Sequence, residues 1–462
     1  MRIGDEVFHP KYGKGTIKVI LPNPAGSRIK VDFGYAKPIL PASELERTPG
    51  GPPLAPVGLS PPEPTSPGEK INRLDPATLL ARQGIQALKL GQILDVQVES
   101  LSVGMEKLQQ DLTQALTRAA TGRPTFSLIT GAWGSGKSHA LTLLETLARQ
   151  QSFATSTVIM DGYSLSLARP MELLQEVMGN LIVPQQEGMD GVMVWLREAL
   201  KKNMTPRLQK RAPLLGKALE SLPIGVLDDP EISQVFTDYL SLDMTAAQAK
   251  YRLGRLKVWV TGLPTLKAHR LVERAAAFTS LLENWAHFAK IMGAQGLLVI
   301  FDELDVEYAY TSYDTQYCRQ LRERRHELLN ALPKIQDAPL LLAFAAVPDL
   351  STGQDSIQKD AIRHLQQVLQ HRLATLTVPA LKEHHFRELF GKLDDLYLQA
   401  YPSGRLRLTA PQRDQLCDIL LAHQRRDPQP LPRKFVRLCL EALDVLNAAE
   451  APPVETFMGA IQ

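Results

Sequence analysis

Three cysteines among 462 residues, Cys318, Cys417 and Cys439, form no CxxC pair. Their spacing excludes a disulfide framework and a zinc ribbon and fits a reducing compartment. No apolar run reaches the ~20 residues that cross a bilayer, and the opening MRIGDEVFHP has no apolar signal-peptide core. An excess of one charge is also missing. Lys and Arg number 52 against 49 Asp and Glu, a net charge of +3, so nucleic acid or an anionic surface would have to be met by local patches. No internal repeat, Ser–His–Asp, Cys–His or zinc pattern is present. The adjacent His384 and His385 lack metal-ligand spacing and suit a helix cap or flank. A cytoplasmic protein with no membrane partner is expected.

What is present falls into zones, and the length predicts two or three domains. Residues 1–47 carry short β-like runs (GDEVF, GTIKVIL, SRIKVDF, KPILPASEL) broken by glycine, proline and asparagine, which predicts a small all-β barrel. Residues 48–70 are proline-rich with almost no charge, the composition of a flexible linker. Residues 71–378 alternate helical periods with buried-strand runs (FSLIT, TSTVIM, LLVIF, LLLAFAAV), interrupted by a helical insertion over about 170–290. That alternation predicts an α/β fold, a parallel sheet covered by helices. Residues 379–462 read as a helical lid.

Gly131 to Ser138 spell GAWGSGKS, a complete G-x-x-x-x-G-K-S pattern placed after a strand and before the helix HALTLLETLARQ. Glycines let backbone N–H groups turn toward phosphates, and the helix N-terminus adds partial positive charge. The nucleotide-binding set is Gly131, Gly134, Ser135, Gly136, Lys137, Ser138 and His139, with no side-chain chemistry assigned to Trp133 or Ser135. Lys137 is expected on the β- and γ-phosphates and the Ser138 hydroxyl on Mg²⁺. The bland alternative is a glycine-rich turn without a ligand. LLVIFDE then ends a buried strand on Asp302 and Glu303, where ligands bind in open parallel sheets. Asp302 is expected to hold Mg²⁺ through water and Glu303 to orient or deprotonate the attacking water. The alternative is a solvated acidic turn, since Asp305 and Glu307 follow closely.

With these motifs in hand, the chain resembles the AAA+-like branch of P-loop ATPases that includes origin-recognition and STAND-type proteins. The likeness runs from about 120 to 445 through GAWGSGKSH, VIFDELD, LLLAFAAVP and LPRKFVRLCLEAL. ARQGIQALKLG, ITGAWGSGKSHALTLL and STVIMDGYSLSLARPMELLQEVM resemble, more closely, the BREX-system ATP-binding family of bacterial phage-defence proteins. That resemblance implies bound ATP and Mg²⁺, and catalytic roles for Glu303, Lys137, Arg433 and Arg372. Arg433, in LPRKF, takes the place of a lid arginine that reaches the γ-phosphate. Arg372 takes the place of a finger supplied to a neighbouring subunit, with Arg319, Arg322, Arg324 and Arg325 as competitors. For each arginine a surface or ion-pair role is the alternative. The polar sensor usual at the end of the fourth strand is missing from Ala343 to Pro348, with Asp349 as a substitute or slow hydrolysis as the consequence. Residues 1–47 resemble the tudor-like, SH3-type barrel of UvrD and PcrA helicases and CarD-like factors, through VFHPKYGKGTI, IKVDFG and KPIL. In those families it docks proteins, often RNA polymerase. His9 and Tyr12 face a partner or pack locally.

The expected function is an oligomeric ATPase that acts on DNA or a DNA-processing partner in phage defence, with the barrel recruiting a helicase or RNA polymerase. A nucleotide-gated scaffold with negligible turnover and a barrel-directed transcription regulator are the rivals. Basic runs at Lys201, Lys202, Arg207, Lys210 and Arg211, and at Lys250, Arg252, Arg255 and Lys257, could track a phosphate backbone. Acidic neighbours favour a solvated face for each.

Overall fold

The computed structural model describes residues 6–9, 13–21, 28–32, 39–41 and 46–47 as backbone, and 75–457 apart from 163, 185–187, 261, 269, 309–314, 348–359, 403–407, 426–431 and 449–455. The chain divides into two units, Met1–Arg73 and Leu74–Gln462.

In the first unit, β1 (Glu6–His9), β2 (Gly13–Leu21), β3 (Arg28–Asp32), β4 (Ile39–Pro41) and β5 (Glu46–Arg47) form an antiparallel sheet in the order β4-β3-β2-β1-β5. Its side chains, that of His9 and the expected barrel interior included, Tyr12 and the linker 48–70 lie outside what is described.

The second unit opens with α1 (Pro76–Lys89), α2 (Asp95–Leu101) and α3 (Glu106–Ala120). Strand β6 (Thr125–Thr130), α4 (Lys137–Gln150) and β7 (Ala154–Ile159) follow. The stretch expected as a helical insertion holds α5 (Pro170–Gly179), α6 (Gly188–Lys201), α7 (Thr205–Arg211), α8 (Pro213–Glu220), α9 (Pro230–Leu240), α10 (Ala246–Arg255) and α11 (Leu271–Ile291). Then come β8 (Leu297–Asp302), α12 (Gln316–Ala331), β9 (Leu340–Ala346), α13 (Asp360–Leu369) and β10 (Leu373–Thr377). Helices α14 (Glu383–Ala400), α15 (Ala410–Arg425) and α16 (Pro432–Asn447) end the unit.

Strands β10-β6-β9-β8-β7 pair in that order, all parallel. Their continuous apolar runs make sense because both faces are covered. On β8, Leu297, Val299 and Phe301 join one core with the helices of the insertion, while Leu298 and Ile300 join a second core with α3 and α4. β9 divides its residues in the same alternating way, and Phe344 stacks on Phe301 with centroids 5.3 Å apart. A third core joins α14–α16 to Ala81 and Ile85 of α1. Helix α1 therefore packs with α14–α16 although it precedes the glycine loop. Strand β10, half-exposed on one edge, is a strand that hydrophobic patterning does not predict.

Glycine at 296 is set by contact rather than by backbone angle. A Cβ there would lie 2.3 Å from the Pro339 carbonyl oxygen, in the backbone of the chain entering β9. Gly391, inside α14, has nothing within 4 Å of its Cβ position. Gly296→Ala should therefore lower unfolding free energy by about 1–3 kcal/mol. Gly391→Ala should raise it by up to about 1 kcal/mol. Urea midpoints measure both, and equal midpoints for the two variants would contradict the packing described.

Candidate functional site

The sheet presents the C-terminal ends of its strands to one cavity of about 620 Å³. Strand β6 ends at Thr130 and the chain turns through Gly134 (φ +78°) and Gly136 (φ +106°) before α4 begins. Only glycine holds these angles without strain. No side chain caps α4, so its first N–H groups remain available to an anion in the cavity. The Ser135 hydroxyl is buried inside the loop without a hydrogen-bond partner and sits where a Cβ on Gly131 would fall.

Lys137 folds back over this loop, its Nζ donating to the carbonyls of Gly131 (3.2 Å) and Ala132 (3.4 Å). Burial lowers its proton affinity, and Asp305, Asp302 and Glu303 oppose that shift in decreasing order. The Ser138 hydroxyl donates to Asp302 Oδ2 at 3.4 Å. Burial pushes the Asp302 carboxyl above its ordinary range, against the Glu303 N–H, the Lys137 ammonium and the Ser138 hydroxyl. The Glu303 N–H bonds back to Asp302 Oδ1 at 2.8 Å, with Glu303 in the left-handed region at φ +60°. This uncommon angle for a side-chain-bearing residue turns the chain abruptly at the end of β8, and both carboxylates line the cavity.

Because β9 lies between β6 and β8, its end also faces the site. The end of β9 offers no polar side chain, as the sequence indicates, and Asp349 lies outside the described residues. What does arrive there is Asp305. From its sequence position it belongs to a solvated acidic turn; in the structure its Oδ1 accepts the Val347 N–H at 3.1 Å and it lines the cavity. The D-E-x-D spacing was the available signal.

Arg433, at the start of α16, also reaches the cavity. Its guanidinium lies over the Trp133 ring, 5.4 Å from the centroid, and against Gly91 (φ +74°), where a Cβ would fall 2.4 Å from Arg433 Nε. Trp133, 71% exposed, thus joins the loop to the lid. Leu88, Leu101, Met105, Leu389 and Val436 add apolar lining to the cavity, with Met105 Cε 3.5 Å from the Cβ position of Gly136.

His139 lines the cavity and reaches the end of α2, its Nε2 2.7 Å from the Ser102 hydroxyl. That hydroxyl donates its one proton to the Val98 carbonyl at 2.8 Å, so the imidazole Nε2–H must donate to Ser102. Lys392 of α14 donates to the Ser102 carbonyl at 3.1 Å, which connects the phosphate-loop helix to the lid. Arg372 is level with the start of β6, about 20 Å from the phosphate loop at the opposite end of the sheet. Its two terminal nitrogens donate to the carbonyls of Pro333 and Ile335, both at 2.7 Å, and its guanidinium covers Phe126. The structure does not bring it to this chain's cavity. Of its competitors, Arg325 is fully buried and Arg319 exposed. His385 caps α14, its Nδ1 accepting the Lys382 N–H at 3.1 Å. The three cysteines are buried and form no disulfide with one another. No described helix is long and apolar enough to cross a membrane.

A family model described as BREX system ATP-binding protein BrxC/D matches residues 79–461. No curated protein matches the chain. Among solved structures, a chain of the E. coli MS115-1 HORMA:CdnC:Trip13 complex aligns at 12% identity over 79% of this chain and 90% of that one, with a TM-score of 0.38.

Burial lowers the pKa of His139 to about 4 from an ordinary 6.5. An unfolded chain takes up that proton near pH 6.5 and the folded chain does not, so folding loses stability as pH falls from 6.5 toward 4. The loss amounts to up to about 3 kcal/mol. His139→Gln keeps an N–H toward Ser102 and should flatten this slope in urea titrations across that range; an unchanged slope would show that the imidazole is not held neutral.

Proposed function

Because the chain belongs to the BREX system ATP-binding BrxC/D family, we propose that it is a cytoplasmic phage-defence ATPase, which hydrolyses ATP at the Lys137–Asp302 site. The observation that carries this reading is the convergence of Lys137, Ser138 and Asp302 on one cavity at the C-terminal edge of the sheet.

The loop N–H groups and Lys137 would bind the β- and γ-phosphates, with the base against the apolar lining from α1, α14 and α16. Ser138 and Asp302 fit a divalent cation: a hydroxyl and a half-buried carboxylate already converge to 3.4 Å, and a positive charge would favour the ionised carboxylate that burial disfavours. Among the described residues no cluster of three His, Cys, Asp or Glu is built for a metal, so the nucleotide's own oxygens and water would complete the shell. When bound, Mg²⁺ supplies charge neutralisation at the phosphates. Glu303 orients and deprotonates the attacking water for in-line displacement, and Arg433 offsets charge developing on the γ-phosphate. Asp305, fixed to the Val347 N–H, supplies the polar group that β9 lacks. Arg372 is committed to two carbonyls, which favours a structural role; exposed Arg319 is the better candidate to reach a neighbouring subunit.

In this reading the protein works as a homo-oligomer within a multi-protein defence complex, as an AAA+-like core over about 71–378 with a lid over 379–462, and acts on DNA or a DNA-processing partner. The N-terminal strands form a tudor-like module, joined by the 48–70 linker, that recruits a helicase or polymerase. The apolar end of β9 favours one second reading, a nucleotide-gated scaffold with little turnover. Phosphate release measured beside particle size with and without ATP separates the two.

Lys137→Ala should weaken ATP binding roughly ten- to hundred-fold by removing a charge-assisted contact. Glu303→Gln should still bind ATP while turnover falls about 10²–10⁴-fold. Wild-type turnover rates in both variants would remove the enzyme assignment.

A further inference from the structure

The helical insertion carries a face that the ATP site does not use. From Met244 to Val272 the sequence holds Lys250, Arg252, Arg255, Lys257, Lys267 and Arg270 and no carboxylate. Two large rings stand out of the same stretch, Tyr251 at 70% exposure and Trp259 at 81%.

Their placement is built by the fold. A Cβ on Gly254 would lie 3.7 Å from Trp259 Cζ3, so the indole lies beside α10 at its one glycine. Tyr251 precedes Gly254 by three residues and therefore occupies the neighbouring turn of the same helix face. The turn that brings Trp259 back is fixed by Lys257 at φ +62°, with Lys257 N–H on the Gly254 carbonyl (3.0 Å) and Val258 N–H on that of Leu253 (2.9 Å). Val258 and Val260 then pack against the main core, and the alternation of an extended chain sends Trp259 outward between them. Arg252, Arg255 and Lys257 are exposed around these rings; Arg252 also approaches Asp238 at 3.8 Å.

We propose that this face binds single-stranded nucleic acid, its bases stacking on Trp259 and Tyr251 and its phosphates held by Arg252, Arg255 and Lys257. Rings and cations of this kind also serve protein interfaces, but here the cations Arg255 and Lys257 stand exposed beside the rings, as a phosphate-bearing strand requires, while Asp238 approaches only Arg252. A duplex hides its base faces, so flat rings standing in solvent suit an unpaired strand, for which stacking beside a cationic track gives affinity without sequence preference. The proposal deepens the DNA arm of the function given above. Its test follows oligonucleotide binding apart from ATP turnover, so either can fail alone.

The test is fluorescence anisotropy of a labelled 20-nucleotide oligo-dT with the full chain, titrated at several salt concentrations. Binding should weaken steeply with salt, and Arg255→Gln with Lys257→Gln should shallow that dependence by one to two units of the log–log slope. Trp259→Ala should weaken binding about five- to hundred-fold with the same thermal midpoint as wild type, and Tyr251→Ala should weaken it too. Absence of binding at low salt, wild-type affinity in Trp259→Ala, or equal preference for a 20-base-pair duplex overturns the proposal. The last two outcomes would mark the face as a plain electrostatic or protein-docking surface.

Discussion

The structure depends on one electrostatic constraint: an ammonium and several carboxylates are partly withdrawn from water at the same edge of a sheet, where their opposite charges offset the effect of burial. Burial disfavours the charged form of Lys137 and of Asp302 alike. Each is only partly withdrawn from water, and the opposite charges nearby act against the shift that burial imposes. The strand order provides for this. Setting β9 between β6 and β8 spaces the loop that carries Lys137 from the strand that carries Asp302 by one strand, and the gap is bridged by Ser138 on one side and Asp305 on the other. The same arrangement leaves a cleft rather than a closed ion pair. Lys137 rests on loop carbonyls, a modest set of partners that a triphosphate can outcompete with charge-assisted bonds.

The lid is tied to this edge by a different kind of force. Its core is apolar and takes in α1, so the chain before the phosphate loop and the chain after β10 are one packed body. Polar contacts then couple that body to the loop at two places, Arg433 over Trp133 and the His139–Ser102–Lys392 chain. Both touch residues within the GAWGSGKSH stretch. The loop is therefore linked to α14 and α16 through side chains in direct contact with it.

How much of this was legible in the sequence follows from the range over which each signal acts. Strands β6 to β9 are buried on both faces, and their apolar runs announce them; the phosphate loop and DE pair are local patterns with fixed spacing. Strand β10 is half-exposed, five residues long and mixed in character, so only its pairing with β6 makes it a strand. Asp305 looked like a solvated turn residue because its partner, the Val347 N–H, is 42 positions away in the chain. Trp133 carried no sequence signal, since its role arises from Arg433 and Gly91, which come from opposite ends of the unit. Arg372 shows the reverse error. Its position in the chain suggested a finger, while its hydrogen bonds commit it to holding the start of β10 against the chain after α12.

The insertion raises a mechanical question that the cores answer. A seven-helix segment between β7 and β8 could be an appendage on a hinge, in which case a ligand on α10 would have little effect on the sheet. Instead Leu253 of α10, Phe236 and Tyr239 of α9 and Phe278 of α11 lie in one continuous buried cluster with Phe126, Phe301 and Phe344 of the strands. Close-packed interiors transmit displacement because they contain few voids to absorb it. Phe301 immediately precedes Asp302, and Phe344 packs against it from β9. The insertion thus packs on one face of β6, β7, β8 and β9, while α3 and α4 cover the other face. The sheet is the shared element: the same cluster holds Phe126 and Leu128 of β6, so the insertion packs against the strand that leads to the loop as well as those that lead to the carboxylates.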